Sequence, residues 1–179
     1  EVAAALGQPL KTPALDYTET EVEKEGFEVT VDAQDLCPRY IAHYVYDVKL
    51  GQSPAWMKRR LALVGNNSIS NIVDITNYIM RELGQPLHAF DCNFLEGNAI
   101  QVRRANEGEK IVTLDEKEFT LNPNNLVICD GKKPVALAGI MGGLNSEIRD
   151  TTTEVMFEAA KFARDNIRRS SRALGQGSD

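Results

Sequence analysis

NIVDITNYIMRELGQPLHAFD, residues Asn71 to Asp91, is the stretch around which the rest of the chain is arranged. Ile72, Ile75, Ile79 and Leu83 recur at spacings of three and four, with Val73 and Met80 widening the stripe. That period predicts an amphipathic helix starting near Ser70 or Asn71 and stopping at Gly84. Thr76 falls on the inward stripe and Asn77 lies beside it. Both types are disfavoured inside a helix, by roughly a few tenths of a kcal/mol. Near a buried stripe they need hydrogen-bond partners or a polar pocket. Beyond Gly84 a Pro-containing loop delivers a lone histidine, His88, so chemistry is expected here.

Toward the N-terminus, Ser53-Pro54 reads as a helix start, a capping hydroxyl followed by proline, and AWMKRRLALV continues to Gly65 with Trp56 as the docking residue. Tyr40 to Leu50 predicts a long strand containing His43, which reads as a packed or edge residue, and Phe27 to Val31 predicts a shorter one. Residues 1 to about 8 read as a short helical remnant. Glu19, Glu21, Glu23 and Glu25 lie in a segment read as a solvated acidic linker.

Toward the C-terminus the period shortens. AIQVRR, KIVTL, EFTL, LVICD and PVALAGI alternate with turn-rich NEGE, DEK, NPNN and DGKK, which argues for hairpins in an antiparallel or mixed sheet. The run ends at Ala138-Gly139-Ile140-Met141-Gly142-Gly143, where glycines let a ligand approach the main chain. Neither dinucleotide nor P-loop spacing is present, and a glycine turn without a ligand is an equal alternative. In EVMFEAAKF a strand would place Glu158 with Met156 and Ala160, among small and apolar neighbours, where a carboxylate is either paired or functional. FARDNIRRSSRALG closes the chain as a basic amphipathic segment in which Ile167 and Leu174 pack and the arginines stay in water.

With 179 residues the chain can bury a sizeable core as one generous domain or two small ones sharing an interior. Cys37, Cys92 and Cys129 match no zinc or redox spacing and read as small buried hydrophobes in a reduced, cytoplasmic protein. No apolar run is long enough to cross a bilayer. A net charge of −6 argues against a dominant polybasic surface, although Lys58 to Arg60, Arg103 with Arg104, and Arg164, Arg168, Arg169 and Arg172 form local clusters able to meet phosphate. Two distant histidines and no paired cysteines leave metal and Cys-His chemistry unsupported. What remains is a pocket of Thr76, Asn77, His88, the Ala138-Gly139 backbone and Glu158, able to read a small polar ligand and position a water. Residue chemistry alone leaves an inert folded domain as the simpler alternative.

The Asn71 to Asp91 string, together with LCPRY at Leu36 to Tyr40, VALAGIMGG at Val135 to Gly143, and the FEAAKF to IRRSSRALG tail, closely resembles the β subunit of bacterial phenylalanyl-tRNA synthetases. EVAAALGQPLK at the start extends the resemblance over nearly the whole chain, in the editing module of that subunit. The resemblance implies an α+β fold with mixed, largely antiparallel sheets and flanking helices. It implies the end of a preceding domain and a linker over 1–35, and an editing domain over 36–179 built from intertwined subdomains, roughly 36–98 and 99–179. The absence of an initiator methionine fits a fragment of a longer protein.

The activity implied is hydrolysis of tyrosine mischarged onto tRNA(Phe). Thr76, Asn77 and His88 would sit beside the aminoacyl ester and its terminal adenosine, Ala138 and Gly139 would line the amino-acid cavity, and Glu158 would recognise the tyrosine hydroxyl. The fragment itself would need no cofactor. ATP and Mg2+ would serve the parent enzyme through an α subunit in an (αβ)2 assembly. Asn67-Ser68 departs from the Arg-Pro common in the family at that place. A noncatalytic scaffold with a decayed pocket, supporting tRNA docking or subunit assembly, is the other reading.

Overall fold

Short apolar alternations and one strong helical stripe fix most elements of the computed structural model, which describes residues 2–12, 16–18 and 27–177. In chain order these are α1 (Val2–Ala5), β1 (Glu28–Val31), β2 (Arg39–Val45), α2 (Ala55–Leu63), α3 (Asn71–Leu83), β3 (Leu87–Asp91), β4 (Ala99–Arg104), β5 (Lys110–Val112), β6 (Glu118–Thr120), β7 (Leu126–Cys129), β8 (Pro134–Leu137), β9 (Met141–Gly142), β10 (Val155–Lys161) and α4 (Arg164–Leu174). The acidic segment bearing Glu19, Glu21, Glu23 and Glu25 lies outside the described residues.

The fold is α+β. A five-stranded sheet runs in the order β1-β4-β7-β8-β9, a three-stranded sheet in the order β2-β10-β3, and β5 and β6 form a hairpin. β1 pairs parallel to β4, and the other strand pairs are antiparallel. The central strand of the small sheet, β10, comes from far along the chain and joins two strands of the first half.

Strand alternation then sorts the layers. Phe90 and Met156, with Tyr40, Ala42 and Tyr44, pack against Ile100, Val102, Leu126 and Ile128, so the two sheets meet face to face. On the other side of the small sheet Ala89, Val155 and Phe157 meet Ile72 of α3. On the far side of the large sheet Val127, Cys129 and Leu137 meet Ile111 and Leu121, with Ile167 and Leu174 of α4. Full burial of each large aliphatic or aromatic side chain is worth about 1.5–3 kcal/mol, and the sheet-to-sheet interface concentrates them.

Local chemistry sets the ends of α3. Ser70 accepts from the Val73 N–H at its start, and Gly84 ends it with φ 74°, its N–H donating to the Met80 carbonyl at 2.9 Å. The apolar stripe is shorter than its spacing suggests, because Leu83 is 53% exposed.

Several expectations need correction. β2 stops at Val45 rather than Leu50, because Asp47 takes a φ of 54° that breaks the extended run. Ser53 does not cap α2. Its hydroxyl instead donates to the buried Asp74 carboxylate at 2.5 Å, a charge-assisted hydrogen bond that turns the side chain toward α3. Met57 and Leu61 dock that helix, whereas Trp56 is 49% exposed and meets Tyr78 edge-on at 5.3 Å. PVALAGI ends as a strand at Leu137, since Gly139 turns the chain with φ 65°. His88 lies in strand β3, not in a loop, because β10 supplies a ladder for it.

Candidate functional site

Where the two sheets part beside α3, a cleft of about 670 Å³ opens. Its size lies in the range of small-ligand sites. α3 contributes Thr76, Asn77 and Met80, β3 contributes Leu87 and His88, and β10 contributes Glu158 and Ala160. The turn from β8 to β9 contributes Gly139 to Gly142, and α4 closes one side with Arg164, Ile167, Arg168 and Ser171.

Of the residues singled out in the sequence, Thr76, Asn77, His88, Gly139 and Glu158 all line this cleft. Ala138 does not. Its methyl is fully buried with Val135 and Ala136 between the sheets, and its N–H donates to the Leu126 carbonyl at 3.0 Å. The residue before a turning glycine stays in register with its strand, and here that register points into the core.

Thr76 Oγ1 donates to the Val73 carbonyl at 2.7 Å, which satisfies its proton inside the helix and leaves its lone pairs to the cleft. The Asn77 carboxamide, half-buried at the cleft wall, has no hydrogen-bond partner among the described residues. His88 packs edge-on to Phe90, with ring centroids 4.6 Å apart. Burial pushes its imidazole down to about 4, so it is neutral at pH 7 and offers one donor and one acceptor.

Two glycines make room for this geometry. A side chain at Gly142 would meet His88 Nε2 at 2.7 Å and Leu114 at 3.1 Å. At Gly139, where φ is already positive, it would meet Phe162 at 3.0 Å and Ile167 at 3.4 Å.

Glu158 is 6% exposed and accepts from the Tyr40 hydroxyl at 3.1 Å. Burial pushes its carboxyl up to about 7, with the Tyr40 hydrogen bond acting in the opposite direction. Burial and the adjacent carboxylate together raise the Tyr40 phenol well above its usual range, so Tyr40 remains a donor.

The three cysteines are buried and none is in a disulfide. Burial pushes Cys37 up to about 11 and Cys129 up to about 12, which removes the thiolate that nucleophilic chemistry requires.

Sequence reasoning missed Tyr40 and Asp74, whereas Arg164 and Arg168 belong to the basic cluster already legible near the C-terminus. Tyr40 sits 118 positions from Glu158, and only the parity of Tyr40, Ala42 and Tyr44 along a strand hinted at a shared face. Asp74, fully buried in the first turn of α3, accepts from Ser53 and Ser68 at 2.5 Å each and from the Ile69 N–H at 2.9 Å. Although burial pushes its carboxyl up, these hydrogen bonds outweigh it and hold it below the ordinary aspartate value. Ser68 thereby ties the loop before α3 to that helix. Arg164 and Arg168 are exposed at the cleft and make no ion pair among the described residues.

A family model described as the B3/4 domain matches residues 36–179. The chain is 55% identical over 183 residues to the phenylalanine--tRNA ligase beta subunit of Syntrophus aciditrophicus. It is 51% identical over 180 residues to that of Moorella thermoacetica. Both alignments take in 100% of this chain, which spans 22% of each relative's length. Among solved structures, an N-terminal fragment of the phenylalanyl-tRNA synthetase beta-subunit from Pyrococcus horikoshii matches with a TM-score of 0.60. It covers 89% of this chain and 52% of that one at 15% identity, a likeness of fold.

Proposed function

The chain belongs to the B3/4 domain family, and on that premise we propose that its cleft hydrolyses tyrosine mischarged onto tRNA(Phe). The observation that carries this reading is the convergence of Thr76, Asn77, His88, Gly139 and Glu158, from three separate parts of the chain, on one open cavity. Phenylalanine and tyrosine differ by one hydroxyl. A site whose buried carboxyl accepts that hydroxyl leaves a polar group unpaired when phenylalanine enters. The cost is about 1–3 kcal/mol, or roughly ten- to hundredfold.

An aminoacyl ester is already activated, so its hydrolysis needs an aligned water more than a nucleophilic side chain. Neutral His88, the Thr76 lone pairs and the Asn77 carboxamide orient ester and water, with the tRNA's own hydroxyl assisting, and no side chain is acylated. Arg164 and Arg168, exposed at the cleft margin, supply the positive charge that we assign to the phosphates of an incoming 3′ end.

The same reading treats residues 36–179 as the working domain, in subdomains of roughly 36–98 and 99–179, and 1–35 as the end of a preceding domain with its linker. The parent enzyme attaches phenylalanine to tRNA(Phe) in the cytoplasm. ATP and Mg2+ serve that reaction at a site we place outside this chain, with the α subunit of an (αβ)2 assembly. A noncatalytic scaffold would have its pocket filled by side chains, and the open cleft supports hydrolysis over that alternative.

The test is deacylation of tyrosyl-tRNA(Phe) by the complete enzyme. Glu158→Ala and His88→Ala are each expected to slow it at least tenfold. Wild-type rates for both variants would overturn the assignment.

A further inference from the structure

Glu158 serves as an acceptor only through an oxygen that no other group holds, and the geometry of the small sheet decides which oxygen that is. In the β2–β10 ladder Ala42 is opposite Glu158 and Tyr40 is opposite Ala160. Tyr40 is therefore the diagonal neighbour of Glu158 on the same face, within reach of a long side chain. Its hydroxyl donates to Oε2 at 3.1 Å. Glu158 lines the cleft and Tyr40 does not, its ring being packed against the core between the sheets. The nearby thiol of Cys37 is directed to the Arg39 carbonyl at 3.4 Å and does not compete for the carboxylate. Oε1 has no hydrogen-bond partner among the described residues.

Resting on the reading of the cleft as a tyrosyl-ester site, we propose that Tyr40 is a positioning residue that sets amino-acid specificity by holding Oε2 of Glu158 and presenting Oε1 alone to the ligand's phenol. A carboxylate free of this anchor has rotamer freedom and can turn both oxygens to cleft water. The fixed one offers a single acceptor in a single direction. Such anchoring acts on binding of the hydroxyl rather than on the ester, so it separates tyrosyl from phenylalanyl substrates without altering the hydrolytic step.

The experiment compares wild type, Tyr40→Phe, Glu158→Gln and the double variant in the complete enzyme, with tyrosyl- and phenylalanyl-tRNA(Phe) as substrates. Tyr40→Phe is expected to raise KM for the tyrosyl substrate about tenfold with kcat within about twofold, and to leave phenylalanyl hydrolysis unchanged. The ratio of kcat/KM between the two esters, measured on one preparation, is independent of the fraction folded and reads specificity even if the variant is less stable. Because Tyr40 acts through Glu158, the double variant is expected to be no worse than Glu158→Gln alone. An unchanged ratio in Tyr40→Phe, with Glu158→Gln impaired, overturns the role of Tyr40 and spares the cleft assignment, as do effects that multiply in the double variant. Wild-type tyrosyl hydrolysis by Glu158→Gln overturns both.

Discussion

Glu158 and His88 stand opposite each other in the β10–β3 ladder, yet each turns to a different partner, Glu158 to the Tyr40 hydroxyl and His88 to Phe90 and the bare backbone of Gly142. No hydrogen bond joins them among the described residues, so the cleft carries a neutral imidazole beside a carboxyl that titrates near pH 7.

This pairing has a signature in stability. Folded Glu158 keeps its proton up to about pH 7 against an ordinary value of 4.5, so its contribution is present below 4.5 and lost as pH rises through 7. Folded His88 stays neutral down to about 4 against an ordinary 6.5, so its contribution is present above 6.5 and lost as pH falls toward 4. Between about pH 4.5 and 6.5 the slopes oppose. Glu158→Gln is expected to unmask a stability that rises with pH across that window by on the order of 2 kcal/mol, and His88→Asn one that falls. Urea unfolding at a series of pH values measures both, and equal slopes in the two variants would contradict the pairing.

Gly142→Ala tests the approach of His88 to β9. The added methyl meets the imidazole and Leu114, so the ring or the strand must move. Overpacking of this kind costs about 1–3 kcal/mol. Single-turnover deacylation of tyrosyl-tRNA is expected to slow at least tenfold, and a melting curve together with a rate both at wild-type values would remove His88 from its assigned place.

Asn77→Ala separates function from stability. The carboxamide makes no hydrogen bond among the described residues, and alanine is the better helix former, so stability is expected to stay within about 0.5 kcal/mol. Deacylation falls about tenfold if the carboxamide orients the ester. Unchanged turnover would make Asn77 a bystander.

Asp74→Ala removes the common acceptor of Ser53, Ser68 and the Ile69 N–H. The expected loss is about 2–4 kcal/mol in urea unfolding at neutral pH. Since the folded carboxyl sits below its ordinary value of 3.8, this contribution is present above that value and is lost as pH falls through the folded one. The variant and wild type should therefore converge in strong acid.

Arg164→Ala with Arg168→Ala removes two exposed cations from the cleft margin. Binding of charged tRNA is expected to weaken, with the slope of log affinity against log salt shallower by about one to two. A salt dependence identical to wild type would place the phosphates elsewhere.

Period and composition alone made α3 legible from its N-cap to its left-handed glycine, along with the hairpin strands after Ala99, the buried cysteines and a helical tail that keeps its arginines in water. These depend on interactions within a few residues, which a sequence displays directly. The strand at Leu87–Asp91 was hidden because it is short, follows proline, and extends only in the ladder that β10 provides.

The five cleft-lining candidates were named from motifs, but their meeting in one cavity was set by register. Strand register is a relation between distant segments, and a slip of one residue would have sent Glu158 to the α3 side of its sheet, away from Tyr40. Sequence determined which residue types line the Asn71 to Asp91 stretch and where its helix begins and ends. Only the tertiary structure decided that Ala138 belongs to the core, that Ser53 serves Asp74, and that Tyr40 holds one oxygen of Glu158, because each depends on packing between segments that the chain order keeps apart.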